Sequence, residues 1–189
     1  MRIIGLAGTF ASGKDTLAHH LATKYNFLHV STSDMVRAVA EAEYGDIERP
    51  TLLKTANELR EKRGPGVLAE LSLERYEEDQ DKYDGVVISG VRSLGEVDVI
   101  KKTGGVMAFV DAPMRLRFER VKARHRSNEE KLTFEQFKAS EEAEEHAEHT
   151  NPYVQDLIGV KEVSDALLFN TDDVDAYLSD AEQKLGFQS

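Results

Sequence analysis

Eight residues near the start of the chain, Gly8-Thr9-Phe10-Ala11-Ser12-Gly13-Lys14-Asp15, restrict what the rest can fold into. Gly8 and Gly13 bracket a loop between two segments of different character. Before it, Arg2 to Ala7 is a short apolar run, too short for a helix and read as a buried strand. After it, Thr16 to Tyr25 carries Leu17, Ala18, Leu21 and Ala22 at helical spacing. Small residues in such a loop let backbone N–H groups turn inward onto an anion. The helix that follows adds the positive end of its dipole, and Lys14 adds a point charge. Gly8, Thr9, Phe10, Ala11, Ser12, Gly13, Lys14, Asp15 and Thr16 are therefore the expected cradle for the phosphates of a nucleotide such as ATP.

The loop departs from its usual form at Asp15, where Ser or Thr normally gives a hydroxyl to Mg²⁺. A carboxylate beside a triphosphate repels it unless a cation stands between, so Asp15, with Thr16, is the candidate Mg²⁺ site. The alternative is that Asp15 merely suits the first turn of the helix and Thr16 faces the metal.

The rest of the chain alternates strand and helix. Phe27 to Val30 is a second strand, and Ser31-Thr32-Ser33-Asp34 supplies N-cap residues for a helix to about Tyr44. Helices over Thr51–Arg63 and Val67–Asp79 are separated by Gly64-Pro65-Gly66. Gly85–Ser89 is a strand dominated by β-branched residues, followed by a helix over Leu94–Lys102 and a strand over Val106–Val110. Pro113 opens a charged helix to about Arg126, and after a polar interval an acidic helix covers Phe134–Glu148. Ala166–Phe169 is the last strand and Val174–Leu185 the closing helix. This order predicts an α/β fold of three layers around a parallel sheet of about five strands. One domain spans 1–189, with its core in 1–30, 84–112 and 164–189, a helical acceptor-binding insert at 31–83 and a short lid at 113–150.

Composition fits a globular chain: 40% hydrophobic and 31% charged over 189 residues, enough for a core without staples. With no cysteine, disulfides and thiolate metal sites are excluded. The net charge of −11 opposes nucleic acid as a partner. No apolar run reaches the ~18 residues of a membrane span, and the opening run is too short for a signal peptide. A cytoplasmic monomer or homodimer is the expectation.

Against this acidic background, Arg115, Arg117, Arg120, Lys122, Arg124 and Arg126 crowd one segment. Arg120 and Arg124 share a helical face. Such cations suit a lid that closes over phosphates and excludes water, the alternative being a solvated basic face. The far half of the lid differs, with Lys138 followed by Glu141, Glu142, Glu144, Glu145 and Glu148. His146 and His149 are better explained by a solvated acidic helix than by a metal. Asn170-Thr171-Asp172 is either a base-packing loop or a cap for the next helix.

Two further segments carry a family resemblance. Lys24 to Arg37, with Ser31-Thr32-Ser33-Asp34 and then Arg37, resembles the second strand and acceptor helix of adenylate kinases. Ser89-Gly90-Val91-Arg92 follows the third strand where nucleoside monophosphate kinases place an arginine on the acceptor phosphate, although Ser89 replaces their metal-organising aspartate. The Gly-Lys-Asp ending resembles phage-type deoxynucleoside monophosphate kinases and animal phosphomevalonate kinases. The broadest likeness, through Ala56–Glu61, Gly90–Ser93 and Arg117–Arg120, is to archaeal adenylate-kinase-related P-loop proteins; dephospho-coenzyme A kinases are similar more loosely. The resemblance implies ATP-dependent phosphoryl transfer with Mg²⁺ to a small phosphorylated acceptor, a nucleoside or deoxynucleoside monophosphate before others. It implies Lys14, Asp15, Arg92, Arg120 and Arg124 as catalytic, and Thr32, Asp34, Arg37, Arg60 and Arg92 as acceptor-binding. The alternatives are dephospho-coenzyme A or another small metabolite as acceptor, or a nucleotide switch that hydrolyses ATP slowly and transfers nothing.

Overall fold

β-branched and apolar residues recur in five short runs, and each forms a strand. These are β1 (Arg2–Gly8), β2 (Phe27–Ser31), β3 (Gly85–Ser89), β4 (Val106–Asp111) and β5 (Ala166–Phe169). The computed structural model describes residues 2–123, 132–145, 151–171 and 173–187, with backbone alone for 143–145. All strand pairs are parallel and the order is β2-β3-β1-β4-β5. The register sets Ser31 beside Ser89, Ser89 beside Leu6, and Gly8 beside Val110. The carboxyl ends of the four strands β1–β4 are thus level, which is where ligands bind in such sheets.

Helices cover both faces except at the edge strand β5, where Leu167 and Phe169 are exposed, so the strands are apolar on both sides. Ile4 and Leu6 pack with Val87, Val110 and Leu168 against α1 (Lys14–Tyr25) and α9 (Val174–Lys184). Ile3 and Ala7 pack with Val86, Ile88 and Phe109 against α4 (Val67–Glu77), α5 (Leu94–Lys102) and α8 (Leu157–Glu162). The segment after β2 forms α2 (Thr32–Tyr44), α3 (Arg49–Arg63) and α4, with Val36, Val67 and Leu68 at their shared contact. After β4 come α6 (Met114–Ala123) and α7 (Phe134–Glu145). Their cluster of Val121, Phe118 and Phe137 takes in Phe10 and Ala11 from the loop.

Local chemistry explains most boundaries. The Ser31 hydroxyl accepts the Asp34 amide at 3.2 Å, the predicted N-cap. Ser93 and Glu96 form a reciprocal capping box at the start of α5. Some boundaries differ from expectation. α1 begins at Lys14, not Thr16, because the loop passes into the helix without a spacer. α3 begins at Arg49, with Pro50 in its first turn. The six-residue α8, capped by Asp156, was not foreseen. Among the described residues no helix is long and apolar enough to cross a membrane.

Candidate active site

The glycine-bracketed loop is shaped from outside. Gly8 has φ +153° and a Cβ there would strike the Val110 carbonyl. Gly13 has φ +100° and its Cβ would strike the Asn170 side chain. The loop carbonyls are taken up one after another. Arg117 Nη1 donates to Phe10 O at 3.3 Å, and Arg120 Nη1 to Ala11 O and Ser12 O at 3.4 and 3.3 Å. Asn170 Nδ2 donates to Ser12 O at 3.0 Å, and the Tyr177 hydroxyl to Gly13 O at 3.3 Å. In a planar peptide the N–H points opposite to the C=O, so carbonyls drawn outward turn the amides of residues 11, 13 and 14 inward, while the Ser12 amide is taken by the Thr9 carbonyl at 3.2 Å. The first amides of α1, which lack intrahelical acceptors, continue the row. Ser12 adds a fully buried hydroxyl with no hydrogen-bond partner among the described residues. An inward row of N–H groups beside an orphaned hydroxyl fits a bound anion.

Thr9 anchors the entry to the loop. Its amide bonds Val110 O at 3.2 Å and its hydroxyl donates to Asp111 Oδ1 at 2.9 Å. Burial pushes the Asp111 carboxyl up, but bonds from Lys161, Thr9 and Ala112 outweigh it and the net shift is downward.

On α1 the Lys14 side chain is mostly enclosed, 12% exposed, with its ammonium 3.9 Å from the half-exposed Asp15 carboxylate. Thr16 is exposed beside it. Beneath this turn His29 Nε2 lies 2.8 Å from Ser89 Oγ, and His19 meets the His29 ring edge-on at 5.1 Å. Burial, then His19, pulls His29 below its ordinary value, while Asp15 and Asp34 act in the opposite direction.

Of the predicted acceptor residues, Asp34, Arg37 and Arg92 keep some exposure, whereas Thr32 and Arg60 are buried. Arg37 Nη1 bonds Asp34 Oδ1 at 2.6 Å on an open surface. Arg92 donates Nη1 to Gln155 Oε1 at 3.2 Å. Burial, and next the nearby Arg49, hold its guanidinium below its ordinary range. Thr32 is 2% exposed and donates to Gly90 O at 2.8 Å, bracing α2 against the loop after β3. Arg60 is 1% exposed and paired with buried Glu96, so it is held within the protein, contrary to the expected ligand contact. Arg49, which sequence reasoning passed over, sets its guanidinium 5.4 Å from the Phe10 ring. No local motif marks it.

On α6, Arg120 approaches the loop from its carbonyl side and also donates to Asn170 Oδ1 at 3.0 Å. Arg117 is buried against Glu141 of α7. Arg124, Arg126, His146, Glu148, His149 and Asp172 lie outside the described residues. Among the described residues no group of three or more His, Cys, Asp or Glu side chains is arranged to hold a metal ion. Asn170, Tyr177 and Asp111 were not assigned a loop-holding role from sequence. Asn170 alone had a local signal, its place after β5.

Residues 7–138 match the AAA domain family. A UPF0200 protein of Methanococcus maripaludis is 34% identical over 131 residues, covering 68% of this chain and 70% of its own length. A UPF0200/UPF0201 protein of Archaeoglobus fulgidus is 34% identical over 132 residues, and the match spans 68% of this chain but only 41% of that longer protein. TT1252 from Thermus thermophilus superposes with a TM-score of 0.60 at 19% identity, over 100% of this chain and 98% of its own. A shikimate kinase from Bacteroides thetaiotaomicron gives 0.57 at 16% identity, over 98% and 99%. At such identity the two structures bear on the fold alone, the three-layer α/β arrangement around an all-parallel five-stranded sheet.

Proposed function

Given that the chain belongs to the UPF0200 family and carries an AAA domain over residues 7–138, we propose that it is an ATP-dependent phosphotransferase acting on a small phosphorylated acceptor. A nucleoside or deoxynucleoside monophosphate is the acceptor we favour. The observation that carries the reading is the loop whose carbonyls at residues 10–13 are each held outward. That arrangement turns a row of amides, with Lys14 beside them, onto the donor phosphates.

Arg92 and Arg37 take the acceptor phosphate from the β3 and α2 sides. The exposed Asp34–Arg37 pair is weak enough to exchange for a ligand. An acceptor phosphate oxygen forms the new bond to the γ-phosphorus as the bond to the β–γ bridging oxygen breaks, and ADP leaves. The acceptor is already ionised, so no base is needed. Arg120 serves the donor site from the outer side of the loop, by holding the Ala11 and Ser12 carbonyls, and closure of the lid excludes water. Asp15 and Thr16 are hard oxygen donors at an exposed helix turn, a donor chemistry that fits Mg²⁺ and leaves room for waters. When bound, the ion supplies positive charge to the donor oxygens.

The test is a panel of Mg-ATP with nucleoside and deoxynucleoside monophosphates, dephospho-coenzyme A and phosphomevalonate, following ADP release. ADP formation that depends on one phosphorylated acceptor is the expected result. Equal slow release in every tube would overturn the transferase reading in favour of a nucleotide switch.

A further inference from the structure

α7 faces the phosphate loop with a carboxylate that its own docking does not require. Glu141 is 4% exposed, and its Oε2 receives Nη1 of Arg117, which is equally buried. The same Nη1 donates to Phe10 O at 3.3 Å, and Nε donates to Ala112 O at 3.0 Å. One guanidinium therefore joins α7, the tip of the loop and the chain leaving β4. The other carboxylate oxygen, Oε1, is buried with no hydrogen-bond partner among the described residues. A buried, half-satisfied carboxylate costs stability, so an apolar side chain would anchor the helix better if anchoring were the only task. Apolar anchoring is already supplied by Phe137, which packs on Phe10 and Phe118. The carboxylate adds charge and direction, keeping Arg117 aimed at the Phe10 carbonyl.

We infer that Glu141 is a positioning residue of the donor site: through Arg117 it holds the Phe10 carbonyl outward, so that the Ala11 amide of the same peptide faces the phosphates. This rests on the ATP site proposed above. The peptide plane transmits the effect, since its C=O and N–H cannot turn independently. Ala11 sits at φ +61°, a conformation alanine resists, so the plane relaxes once the carbonyl is released. The lid helix thus acts on the phosphate site through one side chain that touches neither substrate.

Equilibrium binding of a fluorescent ATP analogue without acceptor, alongside thermal unfolding, tests the inference. Glu141→Leu weakens binding roughly tenfold or more, whereas Glu141→Gln, whose amide oxygen still accepts from Arg117, stays within about threefold. Arg117→Lys, which cannot span three acceptors, weakens binding alike, and the double variant is no weaker than the weaker single. Leu132→Ala loosens the same apolar cluster and lowers the melting temperature without changing affinity. Should Glu141→Leu fail to fold, Arg117→Lys carries the test. If the wild type binds and these variants bind equally, if the two effects add, or if Leu132→Ala reproduces the loss, the inference is overturned alone. Failure of the wild type to bind ATP overturns the proposed function and this inference with it.

Discussion

Arg60 directs Nε and Nη2 onto a single oxygen of Glu96, at 3.0 and 2.8 Å, while the other oxygen of that carboxylate receives the amides of Arg92 and Ser93 at 2.7 and 3.2 Å. The pair is buried and joins α3 to the turn that presents Arg92. Arg60→Leu leaves Glu96 charged and uncompensated, which costs about 3–5 kcal/mol. Urea unfolding measures this, and Arg60→Leu with Glu96→Leu falls short of the sum of the singles. A loss below about 1 kcal/mol in Arg60→Leu, the range of an exposed pair, contradicts the linkage.

Lys14 gives the loop its one point charge, from a side chain that is largely enclosed. Lys14→Ala lowers ATP turnover by roughly 10²–10³-fold, as expected for removing one preorganised donor to developing charge. Turnover within a few-fold of wild type refutes the assignment.

Asp15 separates two readings of the first turn of α1. If it holds Mg²⁺, Asp15→Asn raises the Mg²⁺ concentration for half-maximal activity by at least roughly tenfold. If it only complements the helix dipole, the variant loses about 0.3–1 kcal/mol of stability and its Mg²⁺ curve does not move. Titrations of activity with Mg²⁺ at saturating ATP decide between them.

Under the proposed function Arg92 holds the acceptor and the loop holds the donor. Arg92→Ala therefore raises the acceptor KM by about tenfold or more while the ATP KM changes little. A matched rise in both constants points instead to a collapse of the β3 turn.

His29 predicts a pH dependence of stability. Burial and His19 pull its folded-state pKa below the ordinary 6.5, so the unfolded chain takes up this proton first as pH falls. The contribution is fully present above pH 6.5 and is lost as the pH falls through the lower folded value. Denaturant unfolding at pH 7.5 and 5.5 shows a larger loss for the wild type than for His29→Asn. Equal losses refute the assignment.

The loop, the N-cap at Ser31 and the five strands were legible because each depends on neighbours within a few residues. Glycine needs, cap hydroxyls and short apolar runs act locally. Arg60 was misread for the opposite reason. Its partner Glu96 is distant in sequence, and an arginine carries the same local signature whether it meets a ligand or a buried carboxylate. Arg117 reaches Phe10 across α6, and Tyr177 reaches Gly13 from the last helix. Neither contact has a spacing that a one-dimensional pattern reveals. Arg49 was missed because the helix was expected to begin at Thr51, which left Arg49 in the connection before it, and no motif surrounds it. α8 was missed because six residues hold too little periodicity.

The strand order has a kinetic consequence. β1 is central, yet its two partners begin pairing at Gly85 and Val106. One edge of β1 closes only after residues 85–89 and the other only after 106–110, and both closures are long-range, the kind that slows folding. α1 with β2 has to wait beside an open strand while the helical insert is made. The phosphate loop precedes both partners of β1 in the chain and takes its final setting only once β3 and β4 have paired, so nucleotide binding reports on the closure of the central strands.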